Sequence, residues 1–135
     1  MADLTITAAN VLSAGTSFSR ATAGVALTQG EVIYLDSADG NLAKLADASA
    51  AATATIAGIV VTEAAAAQPV LYVKTGAITI GDTVATGTVY VVSATAGKIA
   101  PIADLSSTEI VSVLGIASST TVITMNVWNT AIIKA

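Results

Sequence analysis

The chain has 135 residues, a formal net charge of −4, no histidine and no cysteine. Thiolate nucleophiles, disulfides, the usual zinc ligand sets and imidazole acid–base chemistry are therefore excluded, and most enzyme mechanisms go with them. The five Lys and Arg residues are spread singly at Arg20, Lys44, Lys74, Lys98 and Lys134, so no basic face for nucleic acid is expected.

Charged residues make up 10% and apolar residues 54% of the chain, against roughly 25% charged in an ordinary soluble domain. The surface must then be built mostly from Ala, Thr, Ser, Gly and Val. Such a surface favours association, so the chain reads as a subunit of something larger. A mean hydropathy of +0.80 raises the question of a membrane segment. The start, MADLTITAANVL, carries Asp3, lacks a basic region and alternates Thr with apolar residues, so it is not a signal peptide, and synthesis in the cytoplasm is expected. The longest charge-free run, Ile110 to Ile133, could span a bilayer by length, but Ser118 to Thr121 interrupt it and Asn126 and Asn129 follow. Two buried strands are expected there instead.

In chain order, residues 1–14 are an extended segment with one charge. They form either an arm that adds a strand to a neighbour or the first strand of the domain. Residues 15–135 form a single β domain. Short β-branched runs closed by Gly, Asp, Asn, Ser or Thr predict strands at Leu4 to Ala8, Phe18 to Thr22, Val32 to Leu35, Leu42 to Leu45 and Ile56 to Thr62. Further strands are predicted at Val70 to Lys74, Ala77 to Ile80, Val89 to Ser93, Ile99 to Ile102, Ile110 to Ile116 and Val122 to Val127. The Ala-rich stretches Asp47 to Ala54 and Glu63 to Ala67 read as loops or single turns. The fold class is all-β, a small sandwich or barrel-like domain.

The chain also repeats itself. Gly30 to Asp47 (GEVIYLDSADGNLAKLAD) lies on Gly87 to Asp104 (GTVYVVSATAGKIAPIAD) at a constant offset of 57 residues without a gap. The offset also pairs Gly24 with Gly81 and Gly58-Ile59 with Gly115-Ile116, defining two related hairpin-bearing units at 22–60 and 79–117. Hairpins are expected around Asp39-Gly40 and Ala96-Gly97, with equivalent turns. The period of two places Tyr34 and Tyr90 on opposite faces of equivalent strands, and hence on different surfaces.

Motifs that carry chemistry fail on inspection. A phosphate loop around Gly97-Lys98 would need a glycine where Val92 stands and a hydroxyl where Ile99 stands. Asp36 to Asn41 has the flavour of a calcium loop, but Ala38 and Gly40 break the alternation of oxygen ligands, leaving a polar turn. Asp47 and Asp104 recur in Ala-Asp-x-Ser contexts, which suit the closure of local turns better than a catalytic carboxylate pair. Gly81-Asp82-Thr83-Val84 with Lys98 has the look of a lipoyl or biotinyl carrier hairpin without its flanking Glu or Met. No catalytic, cofactor-binding or metal-binding residue is assigned, and the chain is not expected to be an enzyme.

The order GEVIYLD, a turn, GNLAKLADA, a small-residue loop, IAGIVV, QPVLYVKTG and a second round ending in VLGIAS resembles the head-decoration, or capsid cement, proteins of tailed bacteriophages over nearly the whole chain. The resemblance implies a β-rich structural protein, often a trimer, that binds the major capsid protein on the outside of the phage head and stabilises the shell. It also implies location on the virion exterior and no cofactor. Candidate interface residues are Leu4 and Ile6 in the N-terminal segment, Tyr34, Tyr90 and the lone tryptophan Trp128, for which core packing is the other reading. A carbohydrate-binding or adhesin-like β module is the alternative function.

Overall fold

A computed structural model describes residues 3–13 and 18–134. Among these the chain is all-β apart from single 3-10 turns at Ala8–Asn10, Ser37–Asp39 and Ile102–Asp104. The first six strands are β1 (Val11–Ser13), β2 (Ser19–Thr22), β3 (Val32–Asp36), β4 (Leu42–Leu45), β5 (Gly58–Val60) and β6 (Pro69–Val73). They are followed by β7 (Thr75–Ile80), β8 (Val89–Val92), β9 (Ile99–Pro101), β10 (Ile110–Ala117) and β11 (Val122–Ile133). Antiparallel ladders join them into a five-stranded sheet, in the order β2-β6-β5-β3-β4, and a six-stranded sheet, in the order β1-β7-β11-β10-β8-β9. The two curled sheets form the sandwich-like domain.

Apart from β1, the second sheet repeats the strand order of the first: β7, β11, β10, β8 and β9 stand where β2, β6, β5, β3 and β4 stand. The centre of each sheet keeps the sequence offset, since Val32 faces Ile59 and Val89 faces Ile116. The edges do not. Ile33 pairs with Leu45 but Tyr90 pairs with Pro101, one residue short of the position the offset requires. The turns differ to match. The first carries the Ser37–Asp39 turn with Gly40 at φ 65°, whereas the second closes through Ser93 N–H donating to Lys98 O at 2.9 Å. The expectation of equivalent turns at Gly40 and Gly97 is thus corrected. A one-residue slip exchanges the faces of a strand, and β9 tolerates the exchange because Ile99 and Ala100 are both fully buried. The last strand shifts too, with Ile59 opposite Val73 but Ile116 opposite Thr124.

Directly opposed residues share a face, and this assigns the layers. Val32, Ile59 and Val73 of the first sheet enter the main core together with Ile78, Tyr90, Ile123 and Met125 of the second. The other face of the first sheet, with Ile33, Ala43, Val60, Val70 and Tyr72, is closed by Ala23, Leu27 and Ala64 from the connections and forms a separate smaller core. Leu27 and Ala64 exchange backbone hydrogen bonds of 2.8 and 3.0 Å to hold that cover in place. In the second sheet the counterparts of Val32, Ile59 and Val73 are Val89, Ile116 and Thr124; Val89 is half-buried against the main core, while Ile116 and Thr124 are exposed. Ile116 is 50% exposed. The two like sheets are therefore stacked head to tail, and the β10–β11 part of one sheet face is left open, while Val91 on the same face of β8 is buried.

The N-terminal segment lies on its own chain. Leu4 N–H donates to Ile99 O at 2.8 Å and Thr7 N–H to Gly81 O at 2.9 Å, after which Val11 to Ser13 pair with Ile80 to Ile78. The strand expected at Leu4 to Ala8 is replaced by this intermittent contact and a 3-10 turn, and a regular ladder begins only at Val11. The boundary expected at residues 14 and 15 lies outside the described residues. At the other end β11 runs past Val127 to Ile133, because polar side chains expected to stop it are satisfied in place. Thr130 Oγ1 donates to Val111 O at 2.6 Å, and Asn129 bonds to Ile56.

Gly58 and Gly115 occupy equivalent places in β5 and β10, and both allow the neighbouring strand to come close. A Cβ at Gly58 would lie 2.3 Å from Val73 O, and one at Gly115 would lie 2.1 Å from Thr124 O. These atoms belong to strand backbones, so neither clash is relieved by turning a side chain. Gly58→Ala and Gly115→Ala are each expected to destabilise the protein by roughly 3 kcal/mol or more. Gly87→Ala, with open space around the added methyl and only a φ of 84° to oppose it, should lose about 1–2 kcal/mol. Urea denaturation of the three variants checks this, and equal losses would contradict it.

Candidate interaction face

The β10–β11 hairpin carries the open face. Its turn is closed by Ser118 N–H donating to Val122 O at 2.9 Å, while Ser119 Oγ accepts from Thr121 N and Val122 N at 3.3 and 3.2 Å. Val113 on β10 stands opposite Trp128 on β11, and the pairing is irregular between Val113 and Gly115. Trp128 is 66% exposed. Beside it lies a concavity of about 520 Å³ lined by Val113, Gly115, Ile116, Thr124, Asn126, Val127 and Trp128. No lining residue is charged, and neither strand carries a charge along its length.

Asn129 ties this hairpin to the first sheet. Its Oδ1 accepts from Ile56 N at 2.8 Å and its Nδ2 donates to Ile56 O at 3.1 Å. The side-chain amide thus substitutes for a strand partner at a residue next to β5. Ser112 Oγ donates to Ala54 O nearby, so two side chains of the second sheet hold one loop of the first.

Of the five candidate interface residues, one lies on this face. Leu4 and Tyr90 are buried in the main core, and the Tyr90 hydroxyl accepts from Ala85 N at 2.9 Å. Neither is available to a partner. Ile6 and Tyr34 are half-buried against the same core. The tyrosines do point to opposite faces of equivalent strands, yet they do not reach different surfaces. Head-to-tail stacking turns the Tyr34 face of one sheet toward the Tyr90 face of the other. Sequence reasoning missed Val113, Ile116 and Thr124 by treating the charge-free run as two buried strands. Ile116, Trp128, Ile132 and Ile133 are in fact exposed. The available signal was alternation: Ile123 and Met125 inward, Thr124 and Asn126 outward.

The remaining polar groups serve turns. Lys44 Nζ lies 2.8 Å from Asp36 Oδ2 and 2.9 Å from Asp39 Oδ2, so both carboxylates of the calcium-like segment are already paired with its own lysine. Among the described residues no group of three His, Cys, Asp or Glu side chains could hold a metal. Asp47 Oδ1 accepts from Ser49 N at 2.9 Å and Thr53 Oγ1 at 3.2 Å, which closes a local turn. The carrier-hairpin reading of Lys98 conflicts with the position of Gly97. That residue is buried, donates to Ala46 O at 2.7 Å and accepts from Val32 N at 3.1 Å, so the tip is docked and does not protrude. No helix among the described residues is long and apolar enough to cross a membrane.

The hydrogen bond from Lys44 holds the Asp36 carboxyl below the ordinary carboxylate range, aided by Ala38 N–H, and the same contact with Asp36 raises the Lys44 ammonium. A lowered acid pKa stabilises the folded state above the unfolded value near 3.9 and loses that contribution as pH falls through the folded value. A raised lysine pKa stabilises below about 10.4 and fades only at higher pH. Both effects are constant between pH 5 and 9. An NMR titration of the Asp36 carboxyl should therefore show its midpoint moving up toward the ordinary value in Lys44→Met. An unchanged midpoint would contradict the pairing.

Asn129→Ala removes both bonds to Ile56 and should cost about 1–3 kcal/mol. Asn129→Asp keeps the acceptor, places a carboxylate against Ile56 O and should not rescue. Chemical denaturation of both variants measures this, and wild-type stability in Asn129→Ala would show that the clamp is idle.

The chain matches no protein-family model, no curated protein and no solved structure.

Proposed function

We propose that the protein is a structural, non-enzymatic subunit that binds the outside of a phage capsid, contacts the major capsid protein and stabilises the shell. Two things support this reading: the sequence resemblance to head-decoration proteins and an all-β domain that leaves a charge-free apolar face open. The observation that carries it is that face, with Trp128 at 66% exposure on a chain with so little charge to keep it soluble alone. Homo-oligomerisation, as a trimer in the form the resemblance implies, would multiply the contacts made by each particle-bound unit. A protein that binds the assembled shell and not its free subunits stabilises the shell by mass action. An oligomer that bridges several shell subunits gains avidity, because later contacts form at high effective concentration.

Carbohydrate binding remains the second reading, favoured by one observation. Trp128 borders a concavity that also presents Thr124 and Asn126, the combination of an aromatic platform with hydrogen-bonding groups. Attachment to a shell through uncharged groups should depend little on salt, because screening to about 3 Å at 1 M weakens ion pairs and leaves apolar and main-chain contacts intact. Purified particles carrying the protein and washed from low to high salt are expected to retain it and to lose heat resistance when it is stripped by denaturant. Release by salt alone, or equal heat resistance after complete removal, would overturn the reading. Binding to a glycan array with no affinity for shells would favour the second.

A further inference from the structure

We propose that residues 3–7 form a releasable strap, and that its withdrawal lets the second sheet close on itself as the first sheet already does. The inference does not depend on shell binding. Its first ground is the internal repeat, which shows one closure in two forms. In the first sheet the chain leaving β2 crosses directly to the far edge: Gly24 N–H donates to Ala43 O at 2.9 Å, and Ala23 and Ala43 form a parallel bridge. In the second sheet the counterpart of Gly24 is Gly81, just beyond β7. The counterpart of Ala43 is Ile99, because Ala43 stands opposite Leu35 and Ile99 opposite Val92, which the offset of 57 pairs with Leu35. There the strap lies between the two edges. Ile99 O accepts Leu4 N–H at 2.8 Å, and Gly81 O accepts Thr7 N–H at 2.9 Å. Leu4 thus takes the acceptor that the first sheet gives to its own edge glycine.

The second ground is how the strap is held. Asp3 Oδ1 accepts from the Ser93 hydroxyl at 2.5 Å, and Thr5 N–H donates to Asp82 Oδ2 at 2.7 Å. These clips and the bonds at Leu4 and Thr7 are separate points of attachment, and a regular ladder begins only at Val11, beyond the 3-10 turn at Ala8–Asn10. A segment attached in this way opens locally, without unfolding of the whole chain. The third ground is a hinge. Gly81 has φ 80°, whereas Gly24 lies outside the left-handed region, and glycine occupies both regions at little cost. One residue can therefore carry the difference between the wedged and the closed edge. Release leaves no bare acceptor, since the residue 81 amide replaces that of Leu4 on Ile99 O. It also frees Leu4 and Ile6, which the inserted strap packs against the main core.

The full chain is followed by NMR, using couplings across hydrogen bonds and amide exchange. In the wild type the Leu4 amide should couple to the Ile99 carbonyl. The amides of Leu4, Thr5 and Thr7 should exchange together, at least about tenfold faster than that of Ile78 in β7. Exchange of the three only with global unfolding would overturn the inference. Leu4→Asp places a carboxylate in the main core whenever the strap is inserted, and should drive it out. The Leu4–Ile99 coupling should then give way to one from the Gly81 amide to the Ile99 carbonyl, with the pairing of β1 and β7 retained. Gly81→Ala, whose methyl would lie 2.6 Å from Thr7 O, is the second variant should Leu4→Asp not fold, with the same coupling expected from residue 81. A folded variant that keeps the bond from residue 4 to Ile99 contradicts the proposal. So does one that loses the strap and leaves residue 81 and Ile99 unpaired.

Discussion

A chain with 10% charged residues has little polar surface with which to keep two sheets apart, and the burial of one face of the first sheet against the second turns that composition into a fold. Val32, Ile59 and Val73 meet Tyr90, Ile123 and Met125 in one core, and full burial of each such side chain is worth about 1.5–3 kcal/mol. Other features keep this contact in register. The glycines at 58 and 115 let each sheet close tightly around its own central strands, and Asn129 on β11 fastens one sheet to the loop entering β5 of the other. The N-terminal segment adds Leu4 and Val11 to the same core.

The stacking has a direction, and it decides which side chains are exposed. Two like units packed face to like face would have buried Ile116 along with Ile59 and turned Tyr90, Ile123 and Met125 outward. Head-to-tail packing buries Ile59 and exposes Ile116. The first sheet also covers its remaining face with its own connections, through Leu27 and Ala64, which makes the molecule closed at one end and open at the other. The exposed part is apolar, uncharged and carries an exposed tryptophan, a combination suited to protein contact.

Much of this was legible in the sequence. The gapless repeat announced two related units, and β-branched runs closed by turn residues located ten of the eleven strands of the described structure. The strand missed is Val11–Ser13, and the one expected before it, Leu4 to Ala8, has the alternation of a strand but bonds to two separate hosts, Ile99 and Gly81. Its neighbours in space were not readable from its own pattern. The repeat overstated equivalence at the sheet edges. Constant spacing in sequence does not fix register where both faces of a strand are buried, as at Ile99 and Ala100. Of the candidate interface residues, Trp128 lies on the exposed face, and it was singled out because it is the lone tryptophan. Tyr90 was misplaced because alternation assigns a face without saying what the opposite sheet presents to it, and Ile116 was missed for the same reason.

The head-to-tail arrangement is tested most directly by comparing Ile59 with Ile116, which stand at equivalent points of the two sheets and are 0% and 50% exposed. Methyl NMR of the dilute protein with a soluble paramagnetic agent reads both residues in one sample. Strong broadening of the Ile116 methyls with Ile59 unaffected is the predicted result. Equal protection of the two in the monomer would mean that the second face is covered within the chain, and equal broadening would mean that the first is not.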